Sequence, residues 1–348
     1  MITAGQHTEE SSMSAKPALQ PGTGWRESYL GGSLEQEEKL FAQEVFPRIA
    51  VIQSAVAARQ SASVRRALHN RGDPVRVVFE AADDLPPHLQ VGFLEPGATY
   101  AGFGRFSRSS SLNQHDTELD ERGFAFRIIT ADGPQDFVLA NTPTFFTPDP
   151  VTFVRVSEVL AKNALLTVPF KLMLALGPQK AFAIALRSLF RTPKRDISFT
   201  SQPYWSQTPF QLGSAAVKIA VVPDPKEQVR AVAKGPHFLT EQLKKDLSQG
   251  PRKFKAYVQL FVAEEKTPIE NASQEWREQD APLVCIGSLT VTHQDFDAAK
   301  ADTIENSEAF NPWNTAHLRP LGSLNRARKQ AYYLSAKARG AHPLALDQ

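Results

Sequence analysis

Three features of this sequence predict an α+β fold built on an antiparallel β-barrel. Short β-branched and aromatic runs, separated by Gly, Pro and Asp turns at hairpin distances, fill residues 74–146. Helical periodicity brackets that region, over residues 34–68 and again over 151–190. Strand signals then resume ahead of a last helical stretch, residues 324–339, that lacks both Gly and Pro. This order of strands, helices, strands and helix, with no repeat at solenoid or propeller period, points to one domain rather than a βαβ succession.

Taken in chain order, residues 1–24 are rich in Ser, Thr, Gln and Pro and lack the apolar core of a secretory signal, so a flexible tail is expected there. Residues 25–340 are expected to form the single domain, with 341–348 as a short tail. Leu40, Val45, Ile49, Ile52 and Val56 recur at helical spacing and predict a lead-in helix, interrupted near Pro47. Strands are predicted over residues 75–79, 100–106, 124–129 and 137–139. Between 151 and 190 the helical pattern breaks at Pro169 and at Gly177-Pro178. Strand patterns return at 215–222, 254–263 and 283–291, with a polar helix over 239–247 before the second of these.

Composition narrows the function classes. With 348 residues, 42% of them hydrophobic, the chain can bury a substantial core. Lys plus Arg number 39 against 37 Asp plus Glu, a formal charge of +2, so no nucleic-acid partner is indicated. The longest apolar stretch, residues 164–176, is interrupted by Pro169 and Lys171 and is too short to cross a membrane; a cytoplasmic protein is expected. Cys285 is the single cysteine, which excludes an intramolecular disulfide, and its place in the apolar run 282–286 predicts a buried strand residue. Neither a Gly-x-Gly-x-x-Gly nor a P-loop motif occurs, and neither His-Glu-x-x-His nor Cys-x-x-Cys, which argues against nucleotide and zinc enzymes.

The candidate chemistry begins on the last helix. Arg328, Tyr332 and Arg339 lie four and then seven positions apart and project from nearly one side. A guanidinium one turn from a phenol favours the phenolate, as a ferric ion would, and tyrosinate is one of the few axial ligands of haem iron. Arg-x-x-x-Tyr alone fits an ordinary surface pair equally well, and Tyr333 is a competing ligand. At the other end, His69 follows Arg66 by three residues at the close of the lead-in helix; a lone histidine is more often structural than catalytic.

Further strings change that balance. Arg66-Ala67-Leu68-His69, Gly104-Arg105-Phe106-Ser107, Asp120-Glu121-Arg122-Gly123-Phe124-Ala125 and Asn141-Thr142-Pro143-Thr144-Phe145-Phe146 resemble motifs of the catalase family. His69 to Arg105 and Arg105 to Asn141 are each 36 residues, close to the family spacing. Phe310-Asn311-Pro312-Trp313, Arg319-Pro320-Leu321-Gly322 and residues 328–339 resemble the proximal region of the short catalase-related haem proteins. The resemblance spans residues 65–339 and rests on motifs in the family's order.

The resemblance implies a barrel of the catalase type with surrounding helices, reduced, without the long C-terminal extension of the large catalases. It implies haem b as cofactor, His69 as distal acid–base group, Asn141 as distal hydrogen-bond donor and Tyr332 as the iron ligand. Arg328 would hold Tyr332 as phenolate, Arg66, Arg105 and Arg339 would meet haem propionates, and Phe146 would wall the pocket. Ordinary core packing is the alternative for Phe145 and Phe146. Leu68 and Asn70-Arg71-Gly72 depart from the family pattern beside the distal histidine. The implied activity is reduction or rearrangement of organic or fatty-acid hydroperoxides, with a small-molecule peroxide as partner. Pro143 argues against the allene oxide synthase subtype. Dismutation of hydrogen peroxide by a minimal catalase is the alternative, and a haem carrier or sensor without turnover the alternative of another class. A homodimer is left open.

Overall fold

The computed structural model describes residues 24–59, 69, 72–109, 115–116, 120–163, 165–190, 197–225, 235–294 and 309–338. Nearly all of the two expected tails, and the lead-in helix beyond residue 59, lie outside the described residues.

The strands are β1 (Gly72–Ala81), β2 (Thr99–Arg108), β3 (Arg122–Thr130), β4 (Gly133–Ala140), β5 (Tyr204–Trp205), β6 (Phe210–Leu212), β7 (Ala215–Pro223), β8 (Arg252–Leu260), β9 (Leu283–Val291) and β10 (Leu318–Pro320). Eight of them close into an antiparallel barrel in the order β7-β5-β4-β3-β2-β1-β9-β8, with β8 returning to pair β7. β6 and β10 extend the sheet beside β5 along the remaining length of β7.

Period-two patterning explains the barrel interior. Val75, Val77, Phe79 and Ala81 of β1 face inward with Phe106 of β2, Phe124, Phe126 and Ile128 of β3, and Phe137 and Leu139 of β4. Aromatic rings fill the middle: Phe106 stacks on Phe124 with centroids 4.1 Å apart, and Phe126 stacks on Phe137 at 4.6 Å. Tyr204 is wholly buried among them and donates its hydroxyl to Phe199 O at 2.8 Å.

The expected strands are present, and three more, β5, β6 and β10, are only two or three residues long, too short for alternation to reveal. The strand expected over 254–263 ends at Leu260; Phe261 N still donates to Ala216 O, one step further along the β7–β8 register, and residues 263–267 then form a tight turn. Cys285 corrects the sequence reading: it lies on a strand but is exposed. The β8–β9 register steps from Ala256↔Gly287 to Tyr257↔Cys285, skipping Ile286. This bulge turns Ile286 inward and Cys285 outward. Only glycine suits position 287, where φ is 152° and a Cβ would stand 2.1 Å from Glu80 O.

The helices are α1 (Leu34–Leu40), α2 (Phe46–Arg59), α3 (Pro150–Lys162), α4 (Val168–Leu176), α5 (Pro178–Phe190), α6 (Phe238–Gln249) and α7 (Ser323–Ala338). The interruption expected near Pro47 is a widened π turn over Phe41–Val45, in which Phe46 N donates to Phe41 O. Proline has no N–H for the bond it would otherwise make one turn back. Asp149 caps α3 by accepting from Thr152 N at 2.8 Å, with Pro150 in the first turn. Pro169 and Pro178 open α4 and α5, the two breaks expected from sequence.

An apolar contact and an ion-pair cluster help to hold α7. Ala327 joins the buried cluster of Phe41, Val45, Ile52, Val56 and Val154. Arg326 reaches Glu27 (2.6 Å), Glu37 (2.5 Å) and Glu270 (3.2 Å). Burial alone would disfavour its charge, but Glu37 and Glu270 more than compensate and raise its pKa above the ordinary guanidinium value. Among the described residues, no helix is long and apolar enough to cross a membrane.

Candidate active site

Because Phe106, Phe124 and Leu139 point into the barrel, their strand neighbours point out. The pairing aligns those outward residues in three rows: Ser107, Gly123 and Ala140; Arg105, Ala125 and Val138; Phe103, Arg127 and Asp136. All nine share one outer face.

His69 is seated on the first row. Its backbone N donates to Ser109 O at 3.1 Å, and Nδ1 is 2.9 Å from Ser107 Oγ. A Cβ on Gly123 would stand 2.7 Å from His69 Cε1, so the missing side chain is what makes room for the ring. Arg105 Nη2 donates to His69 O at 2.9 Å, fixing the backbone from the second row. His69 has φ of +54°, a left-handed conformation that surrounding contacts must maintain at a non-glycine residue. The Nδ1–Ser107 bond orients the ring and thereby Nε2.

Asn141 follows Ala140 at the end of β4, and its carboxamide is engaged at both ends. Oδ1 accepts from Arg122 N at 2.8 Å, continuing the β3–β4 ladder, while Nδ2 donates to Gln202 Oε1 at 2.8 Å. One Nδ2 hydrogen remains beyond the Gln202 bond, since an amide nitrogen carries two. The first row therefore presents Ala140, rather than Asn141, beside Gly123.

The third row connects this face to α7. Arg127 pairs with the buried Asp136 through Nε (2.5 Å) and Nη2 (2.9 Å). Asp136 also accepts from Asn311 N and Asn314 Nδ2, each at 2.9 Å, and Arg127 Nη2 donates to Ala309 O. The Phe310 ring lies 5.8 Å from Phe103. Residues 309–314 are thus pinned on the barrel, and Trp313 Nε1 donates to Asn325 O at 2.6 Å on α7.

Fully buried Asn325 is the hub of the far side. Its Oδ1 accepts from Thr208 Oγ1 and from Arg328 Nη1, both at 3.1 Å, and Arg328 Nη2 donates to Tyr332 Oη at 3.0 Å. A second tie leaves the end of β4: Gln207 Nε2 reaches Thr142 Oγ1 (2.7 Å) and Glu121 Oε1 (2.8 Å), and Thr208 is the next residue. Asn141-Thr142 and Arg328–Tyr332 therefore belong to one hydrogen-bonded framework. Of the adjacent tyrosines, Tyr332 is the one that Arg328 reaches.

Phe146 stacks on Phe145 at 5.2 Å and packs with Val156, Val168, Leu172, Ala181 and Ile184, the cluster beneath α4 and α5. Arg66 and Arg339 lie outside the described residues. The sequence reading gave no role to Ser107, Gly123, Gln202 or Gln207. Ser107 alone carried a signal, standing two residues from Arg105 on the same strand face.

The donor set fits a haem. A phenol oxygen that already accepts a guanidinium hydrogen suits an iron ligand, and an imidazole oriented through Nδ1 suits proton exchange. Comparisons with known proteins bear on the same point. The Catalase family model matches residues 48–169. Peroxisomal catalase of Pichia angusta is 39% identical over 100 residues, 28% of this chain and 20% of that protein. The catalase-related peroxidase of Mycolicibacterium paratuberculosis is 28% identical over 246 residues, 66% of this chain and 75% of the relative. Catalase A from Saccharomyces cerevisiae superposes with a TM-score of 0.66 at 19% identity, over 93% of this chain and 69% of that one. A bacterial catalase gives 0.67, also at 19% identity, over 94% and 68%. The chain is thus similar to catalases over residues 48–169 and to a catalase-related peroxidase over about two thirds of its length.

Catalase-family proteins normally bind haem. The family match contains His69, Arg105, Asn141 and Phe146 and ends before α7. The chain spans about a fifth of the length of the curated catalases it first matches, and it is aligned across a much larger share of the catalase-related peroxidase.

Proposed function

We propose that this catalase-family chain is a haem-dependent enzyme that reduces or rearranges organic hydroperoxides, fatty-acid hydroperoxides foremost, with haem b held by Tyr332. The observation that carries the proposal is the seating of His69 in the Gly123 hollow by Ser107, on the barrel face that residues 309–314 tie to Arg328 and Tyr332.

Haem, when bound, supplies a ferric centre able to accept a peroxide oxygen and promote O–O cleavage. The protein's own part is proton movement and orientation. His69 Nε2 takes the hydroperoxide proton and returns it to the departing oxygen, which leaves as an alcohol. Arg328 donates to the Tyr332 oxygen at 3.0 Å and sets a positive charge beside the atom that would meet iron. Asn141, anchored by Arg122 and Gln202, offers its second Nδ2 hydrogen to orient the substrate. Arg105 supplies positive charge for a propionate.

Substrate class follows from what surrounds the imidazole. On the β3–β4 side of the imidazole, Ala125, Val138 and Ala140 make the barrel wall small and apolar, which favours an alkyl chain over a second water-like peroxide. The extended alignment to a protein named catalase-related peroxidase supports the same reading. Dismutation of hydrogen peroxide is the second reading, supported by the 39% identity to peroxisomal catalase over 100 residues.

Haem-loaded protein should be assayed with hydrogen peroxide, cumene hydroperoxide and a fatty-acid hydroperoxide. The expected kcat/KM is highest for the fatty-acid hydroperoxide. The reverse order transfers the assignment to dismutation, and haem uptake with no peroxide consumption transfers it to a carrier or sensor. His69→Ala should lower turnover by about 10²–10⁴-fold with haem retained.

A further inference from the structure

Helices α4 and α5 form a hairpin whose outward side is apolar. Inward, Val168 and Leu172 of α4 and Ala181 and Ile184 of α5 pack on Val156 and Phe146. These residues are spaced by four and by three, a narrow stripe. Outward, Phe170 is 59% exposed, Leu174 67% and Phe182 70%, and Leu166, just before α4, is 97% exposed. Met173 and Leu186 are exposed beside them. Lys171 is the one polar residue of α4. A helix apolar on nearly every side is ordinarily enclosed in a core or set in an apolar medium, yet here only one stripe is covered. An exposed patch of this kind marks an interaction surface.

Charge identifies the occupant. From Leu165 to Phe190 the chain has Lys171, Lys180 and Arg187 and no acidic residue, and the sequence continues with Arg191, Lys194 and Arg195 before Asp196. This basic run occurs in a chain whose overall formal charge is only +2. Lys171 and Lys180 are exposed, flanking Phe170 and Phe182. Large apolar side chains with lysines between them are the composition of helices that lie in the headgroup region of anionic bilayers. A second copy of the same face would set like charges against each other, which disfavours self-association.

We propose that the α4–α5 hairpin docks on an anionic lipid bilayer, with Phe170, Leu174 and Phe182 entering the headgroup–acyl boundary and Lys171 and Lys180 meeting lipid phosphates. The binding does not depend on the peroxide chemistry proposed above, and its test reads no turnover.

The full chain should be co-sedimented with vesicles of phosphatidylcholine alone and of phosphatidylcholine containing about a third phosphatidylglycerol. Sedimentation is expected with the anionic vesicles and should weaken as salt is added. The triple variant Phe170→Ser, Leu174→Ser and Phe182→Ser should lower vesicle affinity at least about tenfold. Its thermal unfolding should match the parent's, since all three side chains are exposed. Lys171→Glu with Lys180→Glu should lower affinity by about fivefold or more per charge. Absence of binding to either vesicle overturns the proposal, as does equal binding to both with no loss in the glutamate variant. A dimer in solution that the serine variant dissolves, without vesicle binding, assigns the face to a second copy instead.

Discussion

His69 occupies the space that a side chain on Gly123 would fill: a Cβ there would stand 2.7 Å from the imidazole Cε1 and 2.7 Å from Ser107 Oγ. Two residues 54 positions apart in sequence thus share one small volume on the outer barrel wall, and the orientation of the proposed proton carrier depends on a glycine that does no chemistry itself. Gly123→Ala is expected to push the ring off Ser107, lowering peroxide turnover at least about tenfold and costing roughly 1–3 kcal/mol of stability by overpacking. Ser107→Ala removes the Nδ1 bond without adding volume, so it should reduce turnover with a smaller fall in Tm. Paired assays and melts of the two variants check this, and full activity in Gly123→Ala would contradict it.

The proximal assignment rests on Arg328, which joins Tyr332 to Asn325. Tyr332→Phe should abolish the high-spin ferric tyrosinate absorption spectrum, whereas Tyr333→Phe should leave it in place. Arg328→Ala should retain less haem, and Arg328→Lys, which keeps the charge but cannot reach both Asn325 and Tyr332 through a planar fork, should fall between. A spectrum unchanged in Tyr332→Phe would remove Tyr332 from the iron.

Asn141 combines an anchoring role with the proposed substrate contact. Asn141→Ala leaves the Arg122 N–H and Gln202 without their partners, at a cost of about 1–3 kcal/mol each where buried. A fall in Tm is therefore expected along with a fall in kcat. Asn141→Asp keeps the acceptor for Arg122 and loses both N–H donors, so it should recover part of the stability and none of the turnover. Denaturant melts with single-turnover kinetics separate the two contributions.

Helices α2 and α3 are joined by carboxylates whose pKa values are depressed. For Glu158 the causes are hydrogen bonds from Lys162 and Arg48 acting against burial, and for Glu44 hydrogen bonds from Arg155 and Arg48. A depressed carboxylate contributes stability above its ordinary pKa and loses that contribution as pH falls through the folded-state value. Glu158→Gln should therefore lower stability at neutral pH, by less than about 1 kcal/mol because the groups are partly exposed, and the difference from the parent should shrink as pH falls below the ordinary glutamate range. Tm measured against pH for the two proteins checks both sign and window.

Much of this architecture could be read from local pattern. The alternation in residues 75–79 and 124–129 specifies which residues turn inward, because the strand period is two wherever the strand pairs. Pro169 and Gly177-Pro178 mark helix boundaries, because proline cannot continue the backbone ladder. The Arg328–Tyr332 contact follows from a spacing of four on one helix.

Pairings between distant segments could not be read in this way. Closure of the barrel through β7 and β8, the bulge that exposes Cys285, the Gly123 hollow for His69, the double engagement of Asn141 and the packing of Phe146 against α4 and α5 all depend on contacts between segments distant in the chain or on register between them. The sequence thus specified faces, breaks and the identity of the chemical groups, whose determinants lie within a turn or a few strand residues. Which groups meet was decided only in three dimensions, because a one-residue change of register exchanges the two faces of a strand and leaves its local sequence unaltered.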